Sequence, residues 1–140
     1  MQLPEFISKH IPKGRVLLTE SNPKNQKFIA AHLKKYRLKA LHAGTLEEAK
    51  HILNKKKVLG VILDHEFQHD HDHTGQDLVR YVRRDQAEEL RGMPLFFVGD
   101  VDTATLQEYE YLKINRYFDT TTHRVAEVIR EMEPYFIERD

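Results

Sequence analysis

The sequence predicts an α/β domain in which a parallel sheet is buried between helices on both faces. Two observations carry that expectation. Short apolar runs recur five times along the 140 residues, each followed by a stretch with helical spacing. The central runs, VLGVIL at 58–63 and PLFFV at 94–98, are uninterrupted rather than alternating, as strands covered on both faces should be. Crossovers between successive parallel strands are right-handed, so the helices divide between the two faces.

The elements follow in order. Residues 1–13 form a preface lying outside the domain, with one helical turn expected around Phe6 and Ile7; the domain itself is expected to span 14–140. Arg15 to Thr19 is the first strand, ending at Glu20-Ser21. Asn22-Pro23 opens a helix with proline at its first position, and Phe28, Ile29, Leu33 and Tyr36 mark its apolar side. Leu38 to His42 is a second strand. Thr45 and Glu48 have capping-box spacing before a helix that carries Leu46, Ala49, Ile52 and Leu53 on one face.

Val58 to Leu63 is the third strand, stopped by Asp64. Thr74 and Asp77 cap the next helix, which runs to Gly92 with Leu78, Val79 and Val82 inward and Arg80, Arg83, Arg84 and Arg91 in water. Pro94 to Val98 is the fourth strand. Asp102 caps a helix reaching about Lys113, with Leu106, Tyr109 and Leu112 facing the core. Asn115 to Phe118 is the fifth strand, and Val125, Val128, Ile129 and Met132 line the last helix until Pro134 interrupts it.

Composition narrows the function. Lys plus Arg and Asp plus Glu each total 22, so no basic surface recommends nucleic acid or anionic lipid as a partner. Cysteine is absent, which removes disulfides, thiolate metal sites and thiol nucleophiles. No apolar run is long enough to span a bilayer and no signal-peptide pattern begins at Met1, so a cytoplasmic location is expected.

The strongest chemical signal lies in residues 58–77, VLGVILDHEFQHDHDHTGQD. An acid at the carboxyl end of a central parallel strand stands where such folds place their sites. After Asp64 come four histidines (His65, His69, His71, His73) and three acids (Glu66, Asp70, Asp72).

Taken together, VLLTESNP, GVILDHEF, MPLFFVGD and RYFDTTT resemble the receiver domain of bacterial response regulators over roughly residues 14–133. That resemblance implies a flavodoxin-like (βα)5 fold with five parallel strands in the order 2-1-3-4-5. The first and third strands are then neighbours, ~4.8 Å apart, and Glu20 and Asp64 open into one crevice. It also implies roles. Asp64 stands at the phosphoacceptor position, where a carboxylate attacks phosphorus and becomes an acyl phosphate. Glu20 matches the first acid of a Mg²⁺-binding pair, and Ser21 replaces the second. Glu66 would offer a carbonyl to the metal, its side chain supplementing a weakened site. Three switch positions fall on Gly99, where a hydroxyl is usual, on Tyr117, the aromatic position, and on Thr120, where a lysine is usual. Losing such preorganised donors commonly costs on the order of 10²–10³ in rate, so efficient phosphotransfer is not expected.

Gly75 follows Asp64 by eleven residues rather than the eight or so of the family pattern, so the intervening loop is enlarged by about three. Its alternating histidines and aspartates suit a first-row transition metal, and they change charge between about pH 5 and 8, so they are also candidate pH sensors. The strings LDHEF and TGQD resemble a second, receiver-derived family proposed to process cyclic phosphates. This implies a metal-dependent phosphoesterase-like site built on Asp64, His65 and Glu66, with Thr74, Gly75 and Asp77 completing the motif.

Three functions therefore stand, the third a pH-responsive interaction module whose partner binding shifts with the charge of His69, His71 and His73. The first is an atypical receiver-like signalling domain, not itself an enzyme, working through contact with a histidine kinase or an output protein, with a homodimer also a candidate. Its contact surface would carry Glu108, Glu110, Tyr111, Arg116, His123, Arg124 and Glu127. The second is the phosphoesterase.

Overall fold

Alternation along three neighbouring strands creates two cores from one sheet. In the computed structural model, which describes residues 11–85 and 88–138, β1 (Gly14–Leu18), β3 (Gly60–Leu63) and β6 (Leu95–Gly99) lie side by side. Successive side chains on a strand point to opposite faces. Val16, Leu18, Ile62, Phe96 and Val98 therefore face one layer of helices, while Leu17, Val61, Leu63, Leu95 and Phe97 face the other. The outer strands are β2 (Leu38–His42), beside β1, and β7 (Arg116–Asp119), beside β6. All four pairings are parallel and the order is β2-β1-β3-β6-β7. This is the expected flavodoxin-like order, counted over the five strands of the main sheet.

One face carries α1 (Pro23–Lys34) and α6 (Val125–Met132), which bury Ile29 and Leu33, and Val128, Ile129 and Met132. The other carries α2 (Leu46–Lys55), α3 (Gly75–Arg80) and α5 (Thr103–Tyr111), which bury Leu46, Ala49 and Leu53, Leu78 and Val79, and Tyr109. The caps form as their residue types predict: Asn22 Oδ1 accepts from Lys24 N–H at 2.9 Å, Thr45 Oγ1 from Glu48 N–H at 3.0 Å, and Asp102 Oδ1 from Thr105 N–H at 2.7 Å. No helix among the described residues is long and apolar enough to cross a membrane.

Four expectations need correction. The third strand starts at Gly60 rather than Val58, although Val58 and Leu59 are buried. The enlarged loop after it is a hairpin, in which β4 (Glu66–Phe67) pairs antiparallel with β5 (Asp70–Thr74). Phe67 anchors the hairpin in the core at 2% exposure. The helix expected up to Gly92 is divided, with α3 passing into a wide π-type turn at Tyr81–Asp85 before a short α4 (Glu88–Arg91). Arg83 is not a solvated charge: its guanidinium donates to the carbonyls of Lys113, Arg91 and Met93 and to Asn115 Oδ1, at 2.7–3.0 Å. It thereby satisfies carbonyls that have no helical partner where two connections meet. The turn expected around Phe6 and Ile7 lies outside the described residues.

Beyond α6, Pro134 opens a 3-10 turn at Glu133–Tyr135, which delivers Phe136 to the core. The Phe136 ring packs edge-on against Phe96, centroids 5.6 Å apart, over the space left by Gly60. Truncating a fully buried phenylalanine removes both burial and packing, so Phe136→Ala is expected to cost ~3–5 kcal/mol. Urea unfolding of the full chain checks this, and a loss below about 1 kcal/mol, a peripheral side chain's worth, would show that the residues after Pro134 lie outside the core.

Candidate functional site

The carboxyl ends of β1 and β3 bring Glu20 and Asp64 together because Leu18 pairs with Ile62 in the ladder. Thr19, fully buried, accepts the Asp64 N–H on its Oγ1 at 3.3 Å and so fixes the chain where it leaves β3. The Asp64 side chain is half-buried, and each of its oxygens has a donor. Oδ1 accepts from His65 N–H at 2.8 Å, and Oδ2 from Ser21 Oγ–H at 2.8 Å and Ser21 N–H at 3.4 Å. Glu20 is more deeply buried, at 8% exposure. Its Oε1 accepts from Asn22 N–H and Asn25 Nδ2–H, both at 3.3 Å. Burial, and then the charge of Asp64 beside it, hold the Glu20 carboxyl above its usual range.

These donors are all neutral. Among the described residues no Lys or Arg forms an ion pair with Glu20 or Asp64. Glu20 and Asp64 are the two carboxylates that the crevice offers a cation. Glu66 is exposed on β4, the position of a second acid holds the Ser21 hydroxyl, and no three His, Asp or Glu side chains among the described residues converge to hold a cation.

Of the three positions expected to act as switches, Gly99 lies beside Asp64, and Tyr117 and Thr120 are joined to Gly99. A Cβ built on Gly99 would lie 3.4 Å from both Asp64 Oδ1 and the Phe97 ring, an ordinary contact, so a Cβ would just fit beside the carboxylate. The Gly99 carbonyl accepts from Tyr117 Oη–H at 2.8 Å and from Thr120 N–H at 3.2 Å. Tyr117 is therefore folded in toward the site, and Thr120 is exposed at its edge.

His65 turns away from the carboxylates. Its Nδ1 lies 2.8 Å from the hydroxyl of Tyr109, a residue with no exposed surface. Burial, with Asp64 nearby, pushes the Tyr109 hydroxyl up, so it stays protonated and can donate to Nδ1; a neutral His65 ring then carries its proton on Nε2. Gly75 packs beneath: a Cβ there would press on the Asp64 carbonyl oxygen and lie 2.6 Å from the Tyr109 hydroxyl. The Gly75 N–H donates to the His65 carbonyl at 2.9 Å, and Asp77 caps α3 by accepting the Thr74 N–H at 2.8 Å. The TGQD string is thus a structural seam closing the hairpin onto α3. Sequence reasoning placed Tyr109 in the core but gave no sign that its hydroxyl reaches His65, since the two are 44 positions apart.

The transition-metal cluster expected on the hairpin is not assembled among the described residues, where no three ligand-type side chains converge. Asp70 Oδ2 accepts the Leu46 N–H at the start of α2 at 3.1 Å, and His73 Nδ1 lies 2.9 Å from the same oxygen. The His69 N–H donates to the Gly44 carbonyl at 2.9 Å, and a Cβ on Gly44 would lie 2.8 Å from the His69 ring. Gln68 Oε1 accepts from Gln26 Nε2–H at 2.9 Å, which ties the hairpin to α1. His71 is exposed. Without three converging ligands, the phosphoesterase-like site is also not assembled among the described residues.

The Asp70–His73 contact carries a pH signature. The Leu46 N–H, aided by the hydrogen bond from His73, holds Asp70 below its ordinary 3.8, and the hydrogen bond to Asp70 holds His73 above its ordinary 6.5. His73's share of the stabilisation is complete below its unfolded value and fades as pH rises through the raised value. Asp70's share is complete above its unfolded value and fades as pH falls through the lowered one. Hairpin attachment is therefore expected to be firmest between those two ordinary values. Imidazole titration by NMR should show the His73 midpoint falling toward its ordinary value in Asp70→Asn; a midpoint that the substitution leaves unchanged would show that the contact does not persist in solution.

No protein-family model matches the chain, and no curated protein matches it. Solved structures do. The receiver domain of a signal transduction histidine kinase from Syntrophus aciditrophicus superposes with a TM-score of 0.77 at 15% identity, covering 91% of this chain and 94% of that one. A response regulator receiver protein from Pseudomonas putida gives 0.73 at 23% identity, covering 89% and 97%. The receiver domain of a sensor histidine kinase from Pseudomonas aeruginosa, which has a magnesium ion coordinated in its active-site cleft, gives 0.69 at 20% identity, covering 88% and 97%. The chain has the fold of response-regulator receiver domains.

Proposed function

We propose that this chain, over residues 14–140, is a receiver-like signalling domain that is poorly phosphorylated and acts through protein–protein contact. One observation carries the reading: the Ser21 hydroxyl donates to Asp64 Oδ2 at 2.8 Å, at the position where the resemblance calls for a second metal-binding carboxylate. A hydroxyl donor satisfies the Asp64 oxygen without bringing positive charge to it. Two carboxylates and a phosphoryl group in one crevice repel one another, and phosphoryl transfer depends on cations to offset that charge. Magnesium affinity is accordingly low, and residues 114–140 contain no lysine to compensate. Gly99 and Thr120 also deprive the domain of the hydroxyl and the cation that would report a phosphoryl group to the β7–α6 side.

The contact surface fits this role. Glu108, Glu110, Tyr111, Arg116, His123 and Arg124 are exposed and Glu127 is half-buried, so acids, bases and an aromatic ring alternate across α5, β7 and the start of α6. Tyr111, at 75% exposure, is the kind of side chain that anchors interfaces. The receiver domains that share this fold belong to histidine kinases and response regulators, so a histidine kinase or an output protein in the cytoplasm is the fitting partner class, and self-pairing through the same face is its homodimeric counterpart.

Incubation with acetyl phosphate and Mg²⁺, followed by intact-mass measurement, tests the reading. The unaltered chain is expected to remain largely unmodified, whereas rapid and near-complete addition of one phosphoryl group at Asp64 would make it an ordinary phosphorelay receiver. Restoring the missing chemistry supplies the positive arm: the triple variant Ser21→Asp, Gly99→Thr, Thr120→Lys is expected to label at least about 10²-fold faster, with Asp64→Asn eliminating the gain. A triple variant that folds but labels no faster would mean that some other feature of the crevice blocks the reaction.

A further inference from the structure

At the amino-terminal ends of β1, β2 and β3, opposite the Asp64 crevice, lies an open cleft of about 440 Å³. Lys13, Arg15, Lys39 and Lys57 line it, with Glu138 as the one acid among the described residues. The whole chain balances 22 Lys and Arg against 22 Asp and Glu, so this is a local concentration of positive charge. The backbone beneath it is tied down at two points. Lys13 N–H donates to the Arg37 carbonyl at 2.7 Å, and Leu59 N–H to the Arg15 carbonyl at 2.8 Å. Gly14 packs on the Leu59 side chain so closely that a Cβ there would collide with it.

The cations are not arranged to stabilise the fold. Arg15 and Lys39 are directly opposite each other in the β1–β2 ladder. They share one face of the sheet, since Leu17 and Leu41, two residues further on, pack into the same core. Like charges held side by side on neighbouring strands repel, and neither side chain has an ion pair among the described residues. The other two cations meet acids of the C-terminal segment: Lys13 Nζ lies 2.7 Å from Glu133 Oε1, and Lys57 Nζ 3.6 Å from Glu138 Oε1. Phe136, seated over Gly60, brings Glu138 to the rim of the cleft. Exposed pairs of this kind contribute little, so Lys57 can change partners readily. A bound anion would relieve the Arg15–Lys39 repulsion. Arg15 offers phosphate a planar fork that pairs with two oxygens, and Lys39 and Lys57 add point charges. The volume falls within the roughly 300–1,000 Å³ of small-molecule sites, and four cations exceed what one phosphoryl group pairs with.

We propose that this cleft binds a diphosphate group, which Arg15 and Lys39 hold while Lys57 leaves Glu138 to join them. None of these residues touches Glu20 or Asp64, so the acetyl phosphate experiment and this one can fail separately.

The test titrates the ¹⁵N-labelled full chain with inorganic pyrophosphate, ADP and orthophosphate, without divalent cations and at constant ionic strength, following backbone amides by NMR. Pyrophosphate is expected to give saturable shifts at Gly14, Arg15, Lys39 and Leu59, and orthophosphate to bind at least about tenfold more weakly. The ADP arm identifies the source of the group: affinity at or above that of pyrophosphate assigns the cleft to a nucleotide, and lower affinity to free diphosphate. The double variant Arg15→Gln, Lys39→Gln is expected to weaken pyrophosphate at least about tenfold. Lys24→Gln with Lys27→Gln removes the same charge from exposed positions on α1, and should leave affinity within about twofold, because salt screens distant charges. Glu138→Gln, which frees Lys57, is expected to tighten binding. Overturning results are an absence of saturable shifts at the cleft, orthophosphate binding as tightly as pyrophosphate, equal losses in the two double variants, or weaker binding in Glu138→Gln. Should a variant fail to fold, the pyrophosphate–orthophosphate comparison on the unaltered chain decides alone.

Discussion

The register of β1 against β3 governs the molecule. Val16, Leu17 and Leu18 pair with Gly60, Val61 and Ile62, and every one of these positions is buried on one side of the sheet or the other. A slip of one residue would exchange the two faces and put each side chain into the wrong core. With both cores filled, that slip is closed off, and the two chain exits are fixed relative to each other. Glu20 leaves β1 and Asp64 leaves β3 into the same crevice, so the hydrophobic packing of the sheet is what forces two carboxylates together. Thr19 reinforces this from inside by bonding across to the Asp64 backbone.

Two acids meet here with no Lys or Arg paired to either among the described residues. The crevice meets them with dipoles: the hydroxyl and amide of Ser21, the Asn22 and Asn25 amides, and the His65 backbone N–H. Dipoles can hold a carboxylate in place but cannot cancel its charge, and burial together with the neighbouring charge raises the Glu20 pKa as a result. The hairpin beyond Asp64 is held by a separate set of bonds, to α1 through Gln68, to the β2–α2 connection through His69, and to the start of α2 through Asp70. Of its histidines, His73 bonds to Asp70 within the hairpin, His69 is held through its backbone N–H and His71 is exposed, so no three ligands converge among the described residues.

Much of the architecture was legible because it rests on local rules. Uninterrupted apolar runs gave the buried strands, Asn22-Pro23, Thr45 and Asp102 gave the helix starts, and alternation along PLFFV is what divides Phe96 from Phe97 between the cores. The resemblance brought Glu20, Asp64, Gly99, Tyr117 and Thr120 to one end of the sheet, and they meet there. What escaped were features decided by distant partners. Arg83 reads as a wet helix charge until Lys113 and Asn115 come alongside. His69 to His73 read as an open loop because a two-residue strand such as β4 has too little periodicity to announce itself. Phe136 follows a proline that ends a helix, and nothing local says that the chain turns back onto Gly60.

On the proposed reading Ser21 stands where a charge-bearing ligand would be, and magnesium affinity tests that most directly. Titrating the unaltered chain and its Ser21→Asp variant with Mg²⁺, followed by the amide resonances of Glu20, Asp64 and Glu66, compares the two ligand sets in the same crevice. The account predicts weak binding by the unaltered chain and a gain of at least about tenfold, some 1.4 kcal/mol, on restoring the carboxylate. Equal affinities, with magnesium bound tightly by both, would contradict it and show that Glu20 and Asp64 suffice to hold the cation.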